Sequence, residues 1–162
     1  VLAPFARRGI AAAVLALATL PWSAALAQPA PGMRPSTPEA ARVDDTRLRA
    51  ADAEPGQWMA HGRDWSEQRY SPLARIDASN VSKLGLAWVH EPGTRRGMEA
   101  TPLVIDGVLY ATGEWSRVYA LDAKTGATRW TFDPHVAGAK GRDACCDVVN
   151  RGLAAWKGRL YL

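Results

Sequence analysis

Hydrophobic and polar residues alternate in short runs through the second half of the chain, and turn-forming residues separate the runs. Each run has the length and alternation of a β-strand. The four runs cover residues 101–105, 108–112, 117–121 and 128–132. Asp106-Gly107 between the first two is a strong signal for a two-residue hairpin turn. The pattern predicts four antiparallel strands in about thirty residues, the size of one blade of a β-propeller.

Two stretches of sequence recur at intervals typical of propeller blades. The segment 120–130 has a weaker copy at 78–88, 42 residues upstream, and Gly, Leu and Tyr of the segment 107–110 recur in the segment 158–161, 51 residues downstream. Periods of this size indicate stacked structural units, and each unit alone leaves an apolar face exposed. The chain holds about one and a half to two such blades. Because a propeller closes with at least four blades, we expect this chain to be part of a longer protein.

The first repeated segment joins a tight turn to a large aromatic side chain. Asp122 can accept hydrogen bonds within the turn that Thr125 and Gly126 complete. Trp130 can then lie flat between neighbouring blades and bury a large apolar area. The motif therefore predicts that one blade docks on the next through a tryptophan.

The N-terminal segment has the order of a secretory signal peptide. A basic pair, Arg7-Arg8, precedes an apolar run at 10–20, and the small residues at 25–27 offer a cleavage site. A membrane-spanning helix needs about 20 apolar residues, and Pro21 interrupts this run early. We therefore expect a cleaved signal peptide over residues 1–27, rather than an anchor, and export to an oxidising compartment.

Residues 28–57 have the composition of a Pro/Ala-rich tether followed by a lead-in to the propeller, which we expect to occupy residues 58–162. Prolines interrupt regular structure in the tether, which we expect to be solvated and mobile. A short helix is predicted over 44–53, with Asp44 or Asp45 as its cap.

The charge of the chain does not indicate a nucleic-acid partner. The formal net charge is +4, and removal of Arg7 and Arg8 with the signal peptide lowers it to +2. The remaining Lys and Arg residues are scattered and interleaved with acidic residues, so no continuous basic surface is predicted.

The only two cysteines of the chain, Cys145 and Cys146, are adjacent. A disulfide between neighbours would close a tight ring and strain the peptide between them, and strain of that kind is typical of functional sites. Such a bond closes almost no loop, so it would contribute little to stability. The alternative is a pair of buried thiols, which behave as small hydrophobes. A metal site is disfavoured, because no second cysteine pair or nearby histidine completes it.

Several of these segments together resemble the quinoprotein alcohol dehydrogenases, which are eight-bladed propellers that bind pyrroloquinoline quinone (PQQ). The resemblance covers Trp58 to Leu162. The segments that carry it, besides the docking motif, are 69–73, 97–103 and, most specifically, 145–152. Segments 112–120 and 130–134 are more similar to the haem-containing quinohaemoprotein branch than to methanol dehydrogenase. The resemblance implies an all-β fold made of the first blades of such a propeller.

The resemblance also implies a cofactor site. In this family a disulfide between adjacent cysteines, matched by Cys145 and Cys146, packs on one face of PQQ. Glu99 matches an acidic residue that hydrogen-bonds the cofactor, and Arg151 matches an arginine that binds it on the opposite side. A guanidinium suits one of the PQQ carboxylates.

Simpler roles remain open for these residues. Glu99 could be a solvated carboxylate at a strand edge. Arg151 could form an ion pair with Asp143 or Asp147. Trp115 is expected to pack within the core or a loop.

The resemblance implies a periplasmic enzyme that uses PQQ and Ca²⁺ to oxidise primary alcohols to aldehydes and passes electrons to haem c or another acceptor. The catalytic aspartate and the calcium ligands match positions beyond residue 162, so no catalytic or metal residue is predicted in this chain, which alone should be inactive. The alternative is a propeller scaffold of outer-membrane assembly without a cofactor. A scaffold would have no use for the cysteine pair.

Overall fold

The computed structural model of the chain describes residues 42–143 and 145–162. The predicted signal peptide and the tether as far as residue 41 lie outside the described residues. Within the described ranges, none of the helices has the length and apolar character needed to cross a membrane. The described structure is mostly β, with antiparallel sheets.

The lead-in contains the short helix that the sequence predicts. Helix α1 covers Asp45–Arg49, and a 3₁₀ turn follows at Ala51–Ala53. Asp44 is the N-cap, because its Oδ1 accepts a hydrogen bond from the backbone N–H of Arg47 at 2.8 Å. The cap prediction is confirmed, and the α-helix ends earlier than predicted.

Seven strands follow along the described chain. They are β1 (Leu103–Ile105), β2 (Val108–Thr112), β3 (Val118–Asp122), β4 (Thr128–Phe132), β5 (Cys145–Val148), β6 (Ala154–Trp156) and β7 (Arg159–Tyr161). Strands β1 to β4 form one antiparallel sheet in sequence order, and β6 pairs with β7 in a separate hairpin. The four-stranded blade predicted from the alternating pattern is confirmed, with β3 beginning one residue later and β1 two residues later than expected.

The 51-residue repeat is visible in the backbone. The β1–β2 turn has φ values of 48° at Asp106 and 76° at Gly107, and the β6–β7 turn has the same two values at Lys157 and Gly158. Positive φ at both central residues defines the type I′ turn, whose twist matches that of a two-stranded hairpin. The β6–β7 hairpin therefore repeats the first hairpin of the blade.

The lead-in forms part of the hydrophobic core. Val43, Leu48 and Ala51 are buried in the same cluster as Leu103 and Ile105 of β1. The carbonyl of Val43 also accepts a hydrogen bond from the N–H of Lys157 at 2.8 Å. The lead-in is therefore part of the packed fold from Val43 onward, whereas the tether expected to be solvated and mobile lies outside the described residues as far as residue 41.

An arginine connects helix α1 to the first hairpin turn. The guanidinium of Arg47 donates to Glu54 through Nε (2.7 Å) and Nη2 (2.6 Å), and to Asp106 through Nη1 (3.1 Å). Arg47 holds the pKa of the Glu54 carboxyl below its usual value. Because these bonds are charge-assisted and the arginine is four-fifths buried, Arg47→Ala is expected to lower the free energy of unfolding by about 1–2 kcal/mol.

Urea denaturation of the full-length protein measures this change. Arg49→Ala is the matched control, because Arg49 lies on the same helix but forms an exposed ion pair with Asp45 and should leave the midpoint unchanged. Equal effects of the two substitutions would show that the Arg47 network does not stabilise the lead-in.

The repeated turn and tryptophan form a docking contact. Trp88, in the upstream copy, lies against the turn at Gly126, and its Nε1 donates to the carbonyl of Ala123 at 3.3 Å. Asp122 Oδ1 accepts hydrogen bonds from the backbone N–H of Lys124 (3.1 Å) and of Thr125 (2.9 Å). The hydrogen-bonded turn predicted at Asp122 is confirmed, and Trp88 of the upstream copy docks on it. Trp130 is half-buried against the core cluster, and its docking between two blades stays a prediction.

The Asp122 turn should make stability depend on pH. The Arg129 guanidinium and the Thr125 hydrogen bonds lower the pKa of Asp122 to about 2. A carboxyl with a lower pKa in the folded state stabilises the fold above its unfolded pKa of about 3.9, and this contribution is lost as pH falls towards 2. Asp122→Asn should therefore reduce the loss of thermal stability between pH 4 and pH 2. Asp143→Asn, at a carboxylate exposed beside Lys140, is the control; an unchanged acid profile in Asp122→Asn would contradict the prediction.

Candidate functional site

Two segments with equivalent positions in successive repeats lie side by side. Thr101 and Gly152, which are 51 residues apart, form a parallel β-bridge. Gly152 has a φ of 134°, and a Cβ there would lie 3.4 Å from the carbonyl oxygen of Thr101. Glycine therefore permits both the backbone conformation and the close approach of the two segments.

The two charged residues predicted for the cofactor site meet at this junction. Arg151 Nη2 lies 3.3 Å from Glu99 Oε2, with the side chains 69% and 49% exposed. Both alternative partners of Arg151 are engaged elsewhere: Asp143 faces Lys140, and Asp147 pairs with Arg96. The arginine therefore keeps an accessible guanidinium next to a carboxylate, on a surface that is open to a ligand.

The cysteines lie on the strand that leads into this junction. Strand β5 begins at Cys145 and ends at Val148, three residues before Arg151. The side chains of Cys145 and Cys146 lie outside the described part of the structure, so the disulfide remains a prediction.

Asn150 fixes the loop between β5 and β6. Its Oδ1 accepts from the backbone N–H of Gly152 at 2.8 Å, and its Nδ2 donates to Ser116 Oγ at 3.1 Å. Its backbone carbonyl accepts from the hydroxyl of Thr112 at 3.3 Å. These bonds shape the loop and tie it to the end of β2 and to the turn that follows β2.

Trp115 packs in the loop next to the cysteine strand. Both Trp115 and Ser116 have left-handed φ values, 55° and 58°. A Cβ added to Gly141 would lie 3.1 Å from the Trp115 ring and 3.0 Å from Val148. Trp115, Gly141 and Val148 line a small open cleft of about 160 Å³. The loop-packing role expected for Trp115 agrees with this position.

Among the described side chains of residues 42–143 and 147–162, no three histidine, aspartate or glutamate side chains come together in an arrangement that could hold a metal ion.

Comparison with known families identifies the fold. Residues 58–160 match the model of the β-propeller domain of glucose, ethanol and alcohol dehydrogenases, a family labelled by the cofactor PQQ. The match covers more than half of the chain, and it agrees with the blade and the repeated hairpin described above. The chain therefore belongs to the PQQ-dependent dehydrogenase propeller family.

Individual relatives are quinoprotein alcohol dehydrogenases. Over 122 residues the chain is 53% identical to quinohemoprotein alcohol dehydrogenase ADH-IIG of Pseudomonas putida, covering 75% of this chain and 17% of that enzyme. Over 107 residues it is 50% identical to the 1-butanol dehydrogenase (cytochrome c) of Thauera butanivorans, covering 66% of this chain and 16% of that enzyme. This chain is thus a homologue of PQQ-dependent alcohol dehydrogenases that spans about a sixth of their length.

Solved structures give the same result. The ADH-IIG structure superposes with a TM-score of 0.73 at 54% identity, over 75% of this chain and 18% of that one. A europium-containing methanol dehydrogenase superposes with a TM-score of 0.66 at 39% identity, over 73% and 21%. The recognition made from the segments at 97–103 and 145–152 is confirmed.

The residues at the junction fit one edge of PQQ. The cofactor is flat and carries three carboxylates. A guanidinium presents five N–H donors, and the Arg151 side chain is 69% exposed beside Glu99, so donors are accessible to a ligand carboxylate. The Glu99 carboxylate can accept a hydrogen bond from a ring N–H. The donor and acceptor types therefore suit the cofactor that the family label names.

Proposed function

We propose that the chain forms the first blades of an eight-bladed, periplasmic quinoprotein alcohol dehydrogenase that uses PQQ and Ca²⁺ to oxidise primary alcohols to aldehydes. The observation that carries the proposal is the Glu99–Arg151 pair, placed just after the cysteine-bearing strand β5. The family and the quinoprotein relatives support the cofactor. Residues 1–27 supply the export signal in this proposal.

Three groups of this chain would hold the cofactor. Arg151 donates hydrogen bonds to a PQQ carboxylate, and its ion pair with Glu99 keeps the guanidinium beside the second proposed cofactor residue. Glu99 accepts a hydrogen bond from the cofactor edge. Cys145 and Cys146, joined as a disulfide, offer a stiff and polarizable surface to one face of the ring. PQQ, when bound, supplies the quinone that accepts two electrons from the alcohol.

The remaining parts of the machinery belong to positions beyond residue 162. We place the Ca²⁺ ligands and the aspartate that removes a proton from the alcohol there. The acceptor is proposed to be a haem c domain or a periplasmic cytochrome c, which fits the quinohemoprotein and cytochrome c names of the relatives. This fragment alone is not expected to turn over.

The upstream copy of the docking motif supports a larger ring. Residues 86–90 are the repeat equivalents of β4, yet they form no strand in the described structure. Leu84, Leu86 and Val89 are exposed, Leu86 to 82%. An exposed apolar segment that repeats an outer strand is expected to be covered in the complete protein.

Dye reduction by the full-length secreted protein tests the proposal. Apoprotein should show no activity until PQQ and Ca²⁺ are added, and then it should reduce an artificial electron acceptor with ethanol or 1-butanol as substrate. Absence of PQQ-stimulated reduction, with either Ca²⁺ or a lanthanide present, would contradict the proposal and favour the scaffold of outer-membrane assembly.

A further inference from the structure

A second ion pair lies beside the proposed cofactor residues, and one of its partners, Arg96, was given no role by the sequence. The guanidinium Nη1 of Arg96 contacts Asp147 Oδ1. The two positions are 51 residues apart, as are Thr101 and Gly152. The junction between the two repeats is thus held at three places along its length: Arg96–Asp147, Glu99–Arg151 and the backbone bridge at Gly152.

The two ion pairs have opposite charge order along the chain. On the first segment an arginine precedes a glutamate, and on the second an aspartate precedes an arginine. A slip that carried Arg151 towards Arg96 would bring like charges together and separate both pairs. The charges therefore favour one register of the cysteine-bearing segment against its neighbour.

Asp147 occupies a conformation that needs support. It follows Cys146 directly and has a φ of 65°, in the left-handed region that residues other than glycine adopt at a cost. Its carboxylate accepts a hydrogen bond from the Arg96 guanidinium. The Arg96 guanidinium first, and the nearby backbone N–H of Val148 second, hold the pKa of Asp147 below its usual value. The Arg96 contact thus acts on the residue at which the chain turns after the cysteines.

We propose that Arg96 is a positioning residue for the cysteine strand: its ion pair with Asp147 holds the end of β5 in register beside the Glu99–Arg151 pair. The consequence for PQQ rests on the proposed function, but the positioning itself exists without the cofactor. Arg96 is not expected to touch PQQ. It acts through Asp147 and positions the C-terminal end of β5, the strand that carries Cys145 and Cys146 (the cysteine platform).

Amide hydrogen exchange of the full-length secreted protein, followed on the peptide that covers residues 145–152, tests the positioning without PQQ. Arg96→Ala should raise exchange there by up to about fivefold, the upper end for an exposed ion pair, because this pair also supports the left-handed conformation of Asp147; exchange of β2 and β3 should stay unchanged. Arg95→Ala is the matched control: Arg95 is the adjacent exposed arginine and makes no ion pair within the described ranges. Equal exchange in both variants would overturn the proposal.

A double-mutant cycle separates the pair from general effects of charge. Asp147→Asn removes the charge but keeps a residue that tolerates the left-handed conformation. It should raise exchange as much as Arg96→Ala, and the double variant should add nothing further. Additive effects would show that Arg96 does not act through Asp147. Arg96→Lys, which keeps the charge without the planar fork, should restore most of the protection.

A PQQ titration of the same proteins measures whether the positioning by Arg96 affects cofactor affinity. Arg96→Ala should weaken PQQ binding about fivefold, in step with the exchange change, while the alcohol KM of the loaded enzyme stays constant. Unchanged PQQ affinity would refute a role in positioning the platform. If the unaltered protein bound no PQQ, the proposed function would fail, and the exchange experiment would still decide whether Arg96 holds the strand.

Discussion

Replacing Gly126 by alanine is expected to lower the free energy of unfolding by about 3 kcal/mol. Gly126 has a φ of 74°, and a Cβ there would lie only 2.6 Å from two atoms of the Trp88 ring. The methyl group would therefore strain the backbone and also push the tryptophan away from the turn on which it docks. Because Trp88 also donates to the carbonyl of Ala123, its displacement would leave that contact unmade.

Gly93→Ala is the matched control for this experiment. Gly93 has nearly the same φ, 72°, but an added Cβ would meet nothing within 4 Å. Its alanine variant should lose only the backbone contribution, about 1 kcal/mol. Thermal unfolding of the full-length protein measures both, and in a Trp88→Ala background the two glycine substitutions should cost the same. Equal losses in the unaltered background would show that the tryptophan contact is not tight.

Arg151→Ala is expected to weaken PQQ binding by about tenfold to a hundredfold, because it removes a charge-assisted hydrogen bond to a cofactor carboxylate. Arg151→Lys keeps the charge but not the planar fork, so its affinity for PQQ should lie between that of the unaltered protein and that of Arg151→Ala. Since the pair with Glu99 is largely exposed, the melting temperature of the apoprotein should stay within the range of a surface substitution.

Fluorescence titration of the full-length apoprotein with PQQ measures the Arg151 prediction. Arg159→Ala, at an exposed arginine on β7, removes the same charge away from the junction and should leave the affinity unchanged. If Arg151→Ala bound PQQ as tightly as Arg159→Ala, the cofactor would not contact Arg151.

The first blade could be predicted from sequence because its determinants are local. Alternation fixes the strands, and Asp106-Gly107 fixes the hairpin register. The same turn recurs at Lys157-Gly158 with identical φ values, although lysine replaces aspartate. The turn geometry is therefore the same in both hairpins even though the residue at the first turn position differs.

The contacts that sequence analysis missed join segments far apart in the chain. Nothing in the sequence around Val43 indicates that it is buried in the same cluster as β1, because a single apolar residue among polar neighbours shows no periodicity. Arg96 was missed for a similar reason: nothing near it in the sequence indicates its ion pair with Asp147, 51 residues later. The 51-residue interval is the signal that could have found this pair, since equivalent positions of successive repeats lie side by side.

The sequence predicted which residues belong to the site but not their relative positions. Glu99 and Arg151 were assigned to opposite sides of the cofactor, whereas the structure places Arg151 Nη2 3.3 Å from Glu99 Oε2. A carboxylate and a guanidinium on adjacent segments attract each other. When PQQ binds, we expect the Arg151 guanidinium to turn its N–H donors towards a cofactor carboxylate. The backbone segments that carry Glu99 and Arg151 should stay in place.

Mass spectrometry of the exported, non-reduced protein tests the central claim most directly, because the proposed platform depends on one bond between Cys145 and Cys146. The account predicts that the peptide containing both residues resists alkylation and is two hydrogens lighter than its reduced form. It also predicts that reduction followed by alkylation abolishes PQQ binding. Two alkylated cysteines in unreduced protein that binds PQQ and oxidises alcohol would contradict the account.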